Sequence, residues 1–177
     1  LVNGTMGVVG IILGGIAGGL TVSRLGLRKA FWPLALAMHI PNLLYVWAAK
    51  ALPTIAGGAT PIEVMFAPIS WIAFVDQFGY GFGFAAYMVY LMWVAQRGKF
   101  QTSHYAIGTG LGALCITTAG LLSGQLLSHF QRVSEGAGYF PFFITVIFFS
   151  LPGMLMLLLI PLDEHEGRDI KITEIAD

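Results

Sequence analysis

Residues 71–99 constrain the fold most strongly, because this stretch is apolar enough to cross a lipid bilayer and yet contains an acid, Asp76. A helix rises about 1.5 Å per residue, so about 20 mostly apolar residues cross the hydrocarbon core. Counted from Ile69, Asp76 would lie roughly 10 Å inside the membrane boundary. A charge there costs about 2.5–3.5 kcal/mol on insertion scales. Asp76 must therefore face protein or water, and not lipid.

The residues that follow Asp76 at helical spacing share one face and form a polar and aromatic stripe: Tyr80, Gly83, Tyr87 and Tyr90. A stripe of this kind suits a helix that lines a wet cavity and contacts a ligand with hydroxyls and ring faces. Ionisable residues inside a membrane usually mark functional sites. The alternative is that Asp76 hydrogen-bonds a neighbouring helix and only holds the bundle together.

Composition places the chain in the membrane class. Of its 177 residues 56% are hydrophobic and 10% are charged, and the formal net charge is zero. The chain is therefore predicted to be an integral membrane protein, with no electrostatic case for binding nucleic acid. The single Cys115 excludes an internal disulfide and a cysteine-based metal cluster. No metal or cofactor is predicted.

The apolar pattern predicts an all-α membrane protein with five transmembrane helices within residues 1–162. A polar, acidic tail follows at 163–177. The predicted spans are residues 5–22, 30–49, 71–99, 105–127 and 139–162. Because the chain begins with Leu1 and almost at once enters a span, we expect that an N-terminal part is missing. The 177 residues are then not expected to transport alone.

Glycines recur at four-residue intervals in two of the spans, and such ridges let another helix approach backbone to backbone. The ridges are Gly10/Gly14/Gly18 and Gly15/Gly19 in the first span, and Gly108/Gly112 and Gly120/Gly124 in the fourth. The fifth span, rich in Phe, Met and Leu, is predicted to face lipid.

The second span contains Pro41, which should kink the helix by freeing the carbonyl four residues back. His39 and Asn42 flank the kink. We interpret both as groups that satisfy the broken backbone, and a site formed by the two is the alternative.

Basic residues indicate the orientation. The loops at 23–29 and 96–104 hold five of them, whereas the alternate loops hold only Lys50 and Arg132. The positive-inside rule therefore places the two richer loops, and the C-terminal tail, in the cytoplasm.

The turn after the first span resembles the loop signature of the major facilitator superfamily. In that family a glycine-rich helix is followed by an acid, an arginine, a glycine and two basic residues. Ser23 stands at the acid position. The resemblance implies a cytoplasmic gating loop, formed here by Gly19, Arg24, Gly26, Arg28 and Lys29.

Residues 75–79, 85–87 and 100–106 resemble the AmpG-type muropeptide permeases of the same superfamily. In these permeases an acid–amide–Phe opening leads into a glycine-rich helix, and a short S/T-x-x-[YF]-A loop starts the next helix. The resemblance covers nearly the whole chain as the eighth to twelfth helices of a twelve-helix transporter. Its partners would then be a small solute, protons, the lipid bilayer and the missing N-terminal half.

This resemblance implies a proton-driven importer of anhydromuropeptides in the inner membrane, serving cell-wall recycling. Asp76 would be the proton or substrate site, and Gln77, Tyr80 and Tyr87 would contact the ligand. Protonation of Asp76 would be part of the cycle, since no Lys or Arg lies at membrane depth to neutralise it.

Other functions stay open at this point. A permease for a sugar or a nucleotide thioester is one, and a channel or a non-transporting interaction module is another. An intramembrane enzyme would need a second acid, a Ser–His pair or a metal set at membrane depth, so the chain is predicted not to be an enzyme.

Overall fold

The computed structural model describes residues 4–51, 63, 66–134 and 138–160. Nearly all of these residues lie in helices, as predicted. The helices are α1 (Met6–Leu25), α2 (Leu27–Ala51), α3 (Pro68–Gln96), α4 (Gln101–Val133) and α5 (Tyr139–Met156), and a 3-10 turn at Leu157–Leu159 extends α5. The predicted loop at 50–68 and the tail at 163–177 lie largely or wholly outside the described residues.

Four of the helices, α1, α3, α4 and α5 with its 3-10 extension, are long and apolar enough to cross a membrane. This finding supports a multi-pass membrane protein. Helix α2 is equally long, but polar residues and two internal prolines, Pro33 and Pro41, interrupt its apolar sequence. That α2 also crosses the membrane stays a prediction.

The predicted basic loop at 23–29 is reduced to a single residue that connects two helices at a sharp turn, which we call the Gly26 corner. Gly26 alone separates α1 from α2, at φ 78° and ψ 161°, a conformation open almost only to glycine. Its N–H donates to the carbonyl of Val22 at 2.9 Å, and its own carbonyl accepts from the N–H of Ala30 at 3.1 Å. Gly26 thus caps one helix and begins the next.

Helices α1 and α3 run in the same direction and pack backbone to backbone through the predicted glycine ridge. A Cβ at Gly14 would collide with the carbonyl of Phe78, and one at Gly18 with the carbonyl of Phe82. From the other side, a Cβ at Gly81 would collide with the carbonyl of Ile11. The ridge prediction is confirmed for Gly10, Gly14 and Gly18, whereas Gly19 faces open space.

Helix α2 packs against α3 in the opposite direction, again through small residues. Pro41 is fully buried, and it cannot donate a backbone hydrogen bond to the carbonyl of Ala37. That carbonyl lies where the Cβ of a side chain at Gly79 would be. The two helices therefore touch at the point where Pro41 removes a backbone hydrogen bond of α2. Gly83, one turn further along α3, accommodates Met38.

An apolar cluster forms around the Gly26 corner. Leu27, Ala30 and Leu34 are completely buried there, and Val22 and Ala86 nearly so. We call this the basic end of the bundle, because the five basic residues of the two predicted cytoplasmic loops lie here: Arg24, Arg28, Lys29, Arg97 and Lys99.

Helices α4 and α5 contain no fully buried residue among those described. Phe148 and Phe149 of α5 are 70% and 72% exposed, which fits the predicted lipid-facing span. Of the predicted ridges in α4, Gly108 meets Leu91 and Gly112 meets Tyr87, both on α3. Gly120 and Gly124 face open space within the described chain.

Candidate functional site

Asp76 lies half-buried on α3 and faces α2. The Tyr45 hydroxyl of α2 donates a hydrogen bond to the Asp76 carboxylate. The carboxyl of Asp76 therefore faces a polar group of a neighbouring helix.

The Tyr45 ring contacts a third helix. It stacks on Phe143 of α5, with ring centroids 4.8 Å apart and planes 6° from parallel. About one turn further along α2, the Lys50 ammonium lies 3.9 Å from the centroid of Phe140. The carboxyl of Asp76 is therefore bonded to α2 directly and is linked to α5 through the Tyr45 ring.

The sequence analysis did not identify Tyr45. The distance of each residue from the end of its helix, however, places Tyr45 near Asp76. Tyr45 lies six residues before α2 ends at Ala51, and Asp76 lies eight residues after α3 begins at Pro68. In antiparallel helices these positions are at similar depth, roughly 9 Å and 12 Å from that end of the bundle. The identity of the neighbouring helix was needed to use this signal.

The predicted stripe on α3 divides among different neighbours. Tyr80 stacks on Phe84 of its own helix, with centroids 5.7 Å apart, and Gln77 lies beside Gly10 of α1. The Tyr87 hydroxyl donates to the carbonyl of Gly108 on α4 at 3.2 Å. The structure thus brings Asp76 together with Tyr45. The three predicted ligand contacts do not join them: each of the three packs against a different helix.

His39 bonds to the backbone of its own helix, but not at the carbonyl that we expected it to satisfy. Its Nδ1, as N–H, donates to the carbonyl of Ala35 at 2.9 Å. The carbonyl it satisfies is not the one that Pro41 leaves open, since that one belongs to Ala37 and faces Gly79.

The arrangement around Asp76 supports proton and hydrogen-bond chemistry. One carboxyl can take and release a proton, and a phenol can donate to the carboxylate. Within residues 4–51, 63, 66–134 and 138–160, no group of three or more His, Cys, Asp or Glu side chains is placed to hold a metal ion.

The predicted gating residues gather at the basic end, far along α3 from Asp76. Arg24 lies in the last turn of α1, and Arg28 and Lys29 lie in the first turn of α2; all three are exposed. Gly26 forms the corner between them, and Gly19 lies further back on α1.

At this end, a row of aromatic side chains in contact joins α3 to α2. The Arg97 guanidinium lies 3.8 Å from the centroid of Trp93, Trp93 lies 5.8 Å from Tyr90, and Tyr90 lies 5.8 Å from Phe31 of α2. Arg97, which follows the last residue of α3, is thereby connected through ring contacts to the first turns of α2.

Comparison with known proteins points to transporters. The chain is 26% identical over 162 residues to an uncharacterised protein of Haemophilus influenzae, covering 89% of this chain and 34% of that protein. It is 22% and 21% identical over 152 residues to proteins of Rickettsia felis and Rickettsia conorii, each named "Putative transporter AmpG 4". Those matches cover 86% of this chain and 32% of each relative.

The chain therefore spans about a third of the length of the curated relatives it matches. No family model matches it, and no solved structure matches it. The distant similarity and the apolar helices together fit a membrane transporter.

Proposed function

We propose that this chain belongs to a secondary active transporter that imports anhydromuropeptides across the inner membrane with protons. The observation that carries the proposal is the Asp76 carboxyl, half-buried in an apolar helix and bonded to Tyr45, whose ring stacks on Phe143 of α5. The similarity to the two Rickettsia proteins supports a membrane transporter, and the solute class rests on the sequence resemblance to the muropeptide permeases.

The side chains around Asp76 support the proposed proton coupling. Its hydrogen-bond partner is a phenol, which stabilises a carboxylate but does not neutralise it. On α2 the nearest basic side chains are His39 and Lys50, and these contact Ala35 and Phe140. A proton is then the group that neutralises Asp76 in part of the cycle.

We further propose that the five helices correspond to the eighth to twelfth helices of a major facilitator transporter. Two observations support this assignment: the chain covers only a third of its relatives, and α4 leaves much of its apolar surface exposed. The remaining helices would form the other wall of the cavity. The basic end would face the cytoplasm, as the positive-inside rule requires.

Asp76→Asn tests the coupling. The substitution keeps size and hydrogen bonding but fixes the neutral form. In the intact protein, with any segments that precede or follow these 177 residues, we expect insertion and solute exchange to persist. Accumulation driven by a pH gradient should be lost, measured as uptake of labelled anhydromuropeptide into proteoliposomes.

Asp76→Glu is the matched control, because it retains a titratable carboxyl and should retain pH-driven accumulation at a reduced rate. Normal accumulation with normal pH dependence in Asp76→Asn would contradict proton coupling through this residue. Uptake of a sugar or a nucleotide thioester in place of the anhydromuropeptide would overturn the proposed solute. Equilibration without accumulation in the unaltered protein would indicate a channel.

A further inference from the structure

Tyr45 makes two contacts with two different helices. Its hydroxyl donates to Asp76 of α3, and its ring stacks face to face on Phe143 of α5. A tyrosine held by its ring face has little freedom to rotate, so its hydroxyl stays directed at one point. This is the geometry of a side chain that orients another group.

We propose that Tyr45 is a positioning residue for Asp76, and that it connects the ionisation of this carboxyl to the packing of the α2–α5 pair against α3. The inference rests on the proposed function, in which Asp76 takes and releases a proton. Tyr45 is not proposed to contact the solute.

The physical basis is the difference between a charged and a neutral acceptor. A hydrogen bond to a carboxylate is roughly twice as strong as one between neutral groups. When Asp76 takes a proton, the bond from Tyr45 loses its charge assistance. The link between α2 and α3 then weakens at this depth.

The contacts between α2 and α5 do not depend on that proton. Tyr45 stays stacked on Phe143, and Lys50 stays over Phe140. Helices α2 and α5 would therefore remain joined to each other while the hold of α2 on α3 loosens. This difference gives protonation a direct route to a helix movement.

The other titratable groups packed near Asp76 are few among the described residues. On α2 they are His39, bonded to Ala35, and Lys50, over Phe140. On α3 itself Tyr80 follows one turn later and stacks on Phe84. On α1 the titratable side chain is Arg24, at the opposite end of the bundle, and on α5 it is Tyr139, the first residue of the helix.

The test measures the carboxyl directly and does not depend on transport. In the intact protein, the infrared carbonyl band of protonated Asp76 is assigned as the band that Asp76→Asn removes, and its intensity is followed against pH. Tyr45→Phe keeps the ring and removes only the hydroxyl. We expect the band to change frequency and its midpoint to move upward by about one pH unit, because the carboxylate loses its donor.

Tyr105→Phe is the matched control, because it removes a partly buried tyrosine hydroxyl that bonds to Met88, 3.4 Å away, and not to Asp76. This variant should leave both the frequency and the midpoint unchanged. Phe143→Leu tests the second contact: loss of the stack should broaden the band and move its midpoint part of the way. Phe148→Leu on the exposed side of α5 should have no effect.

An unchanged frequency and midpoint in Tyr45→Phe would overturn the inference, whatever happens to uptake. Equal shifts in Tyr45→Phe and Tyr105→Phe would also overturn it, since the effect would then be general loosening. The proposed function is tested by a different measurement, in which normal pH-driven accumulation by Asp76→Asn would contradict it. The two failures are therefore distinguishable.

Discussion

The backbone carbonyl of Ala37 occupies the place where a side chain at Gly79 would begin. This carbonyl is the one that Pro41, four residues later, cannot engage in the α2 helix. A close approach of a glycine Cα–H to a carbonyl oxygen recurs at helix–helix interfaces and contributes about 0.5–1 kcal/mol. The interruption of α2 and the absence of a side chain on α3 are therefore parts of one contact.

Gly79→Ala should destabilise the bundle by about 1–3 kcal/mol, because the added methyl group would force α2 and α3 apart. The measurement is the free energy of unfolding of the purified intact protein. Gly110→Ala on α4 is the control, since the space beside Gly110 is open, and it should be neutral or slightly stabilising. Equal effects of the two substitutions would show that the contact between Ala37 and Gly79 is not tight.

Gly26→Ala should cost about 1–3 kcal/mol of stability, because position 26 has a backbone conformation that a side chain strains. The corner cannot relax easily, since the residues on both sides continue directly into helices. Thermal unfolding of the intact protein measures this effect. Gly153→Ala, at an open position in α5, provides the comparison, and a Gly26→Ala variant as stable as Gly153→Ala would contradict the strain.

Arg28→Ala should slow transport while leaving equilibrium solute binding nearly unchanged. Arg28 lies in the first turn of α2 at the basic end, remote from Asp76, where the proposed gating loop would act. Rates of uptake and binding isotherms of the intact protein separate the two effects. Arg132→Ala, in the last turn of α4 at the opposite end, should change neither. A large loss of binding in Arg28→Ala would argue against a gate.

Tyr80→Phe and Tyr87→Phe should behave differently, although both residues are proposed ligand contacts. The Tyr87 hydroxyl is already bonded to the Gly108 carbonyl across α3 and α4, so its removal should cost about 1 kcal/mol of stability. Tyr80→Phe should leave stability unchanged and weaken solute binding about fivefold. Binding and unfolding measurements on both variants check this. Lower stability in Tyr80→Phe, with unchanged binding, would remove Tyr80 from the site.

Much of the helical architecture was predictable because the signals are local. Runs of apolar residues predicted the described helices α1 to α5, and the spacing of Gly10, Gly14 and Gly18 predicted a close backbone approach. Both depend on residues within one helix, where periods of three to four residues define a face. The intramembrane acid was equally visible, since one charge in an apolar span is costly wherever that span packs.

Only the tertiary structure decided which groups these faces meet. The stripe from Asp76 to Tyr87 reads as one surface along α3, yet Asp76 contacts α2 and Tyr87 contacts α4. Tyr45 and Phe143 carried no comparable signal, because a single aromatic residue in an apolar helix is ordinary. Their importance arises from antiparallel packing that brings residues distant in sequence to one depth. A helix defines its own faces, but what each face meets is decided by the helices packed around it.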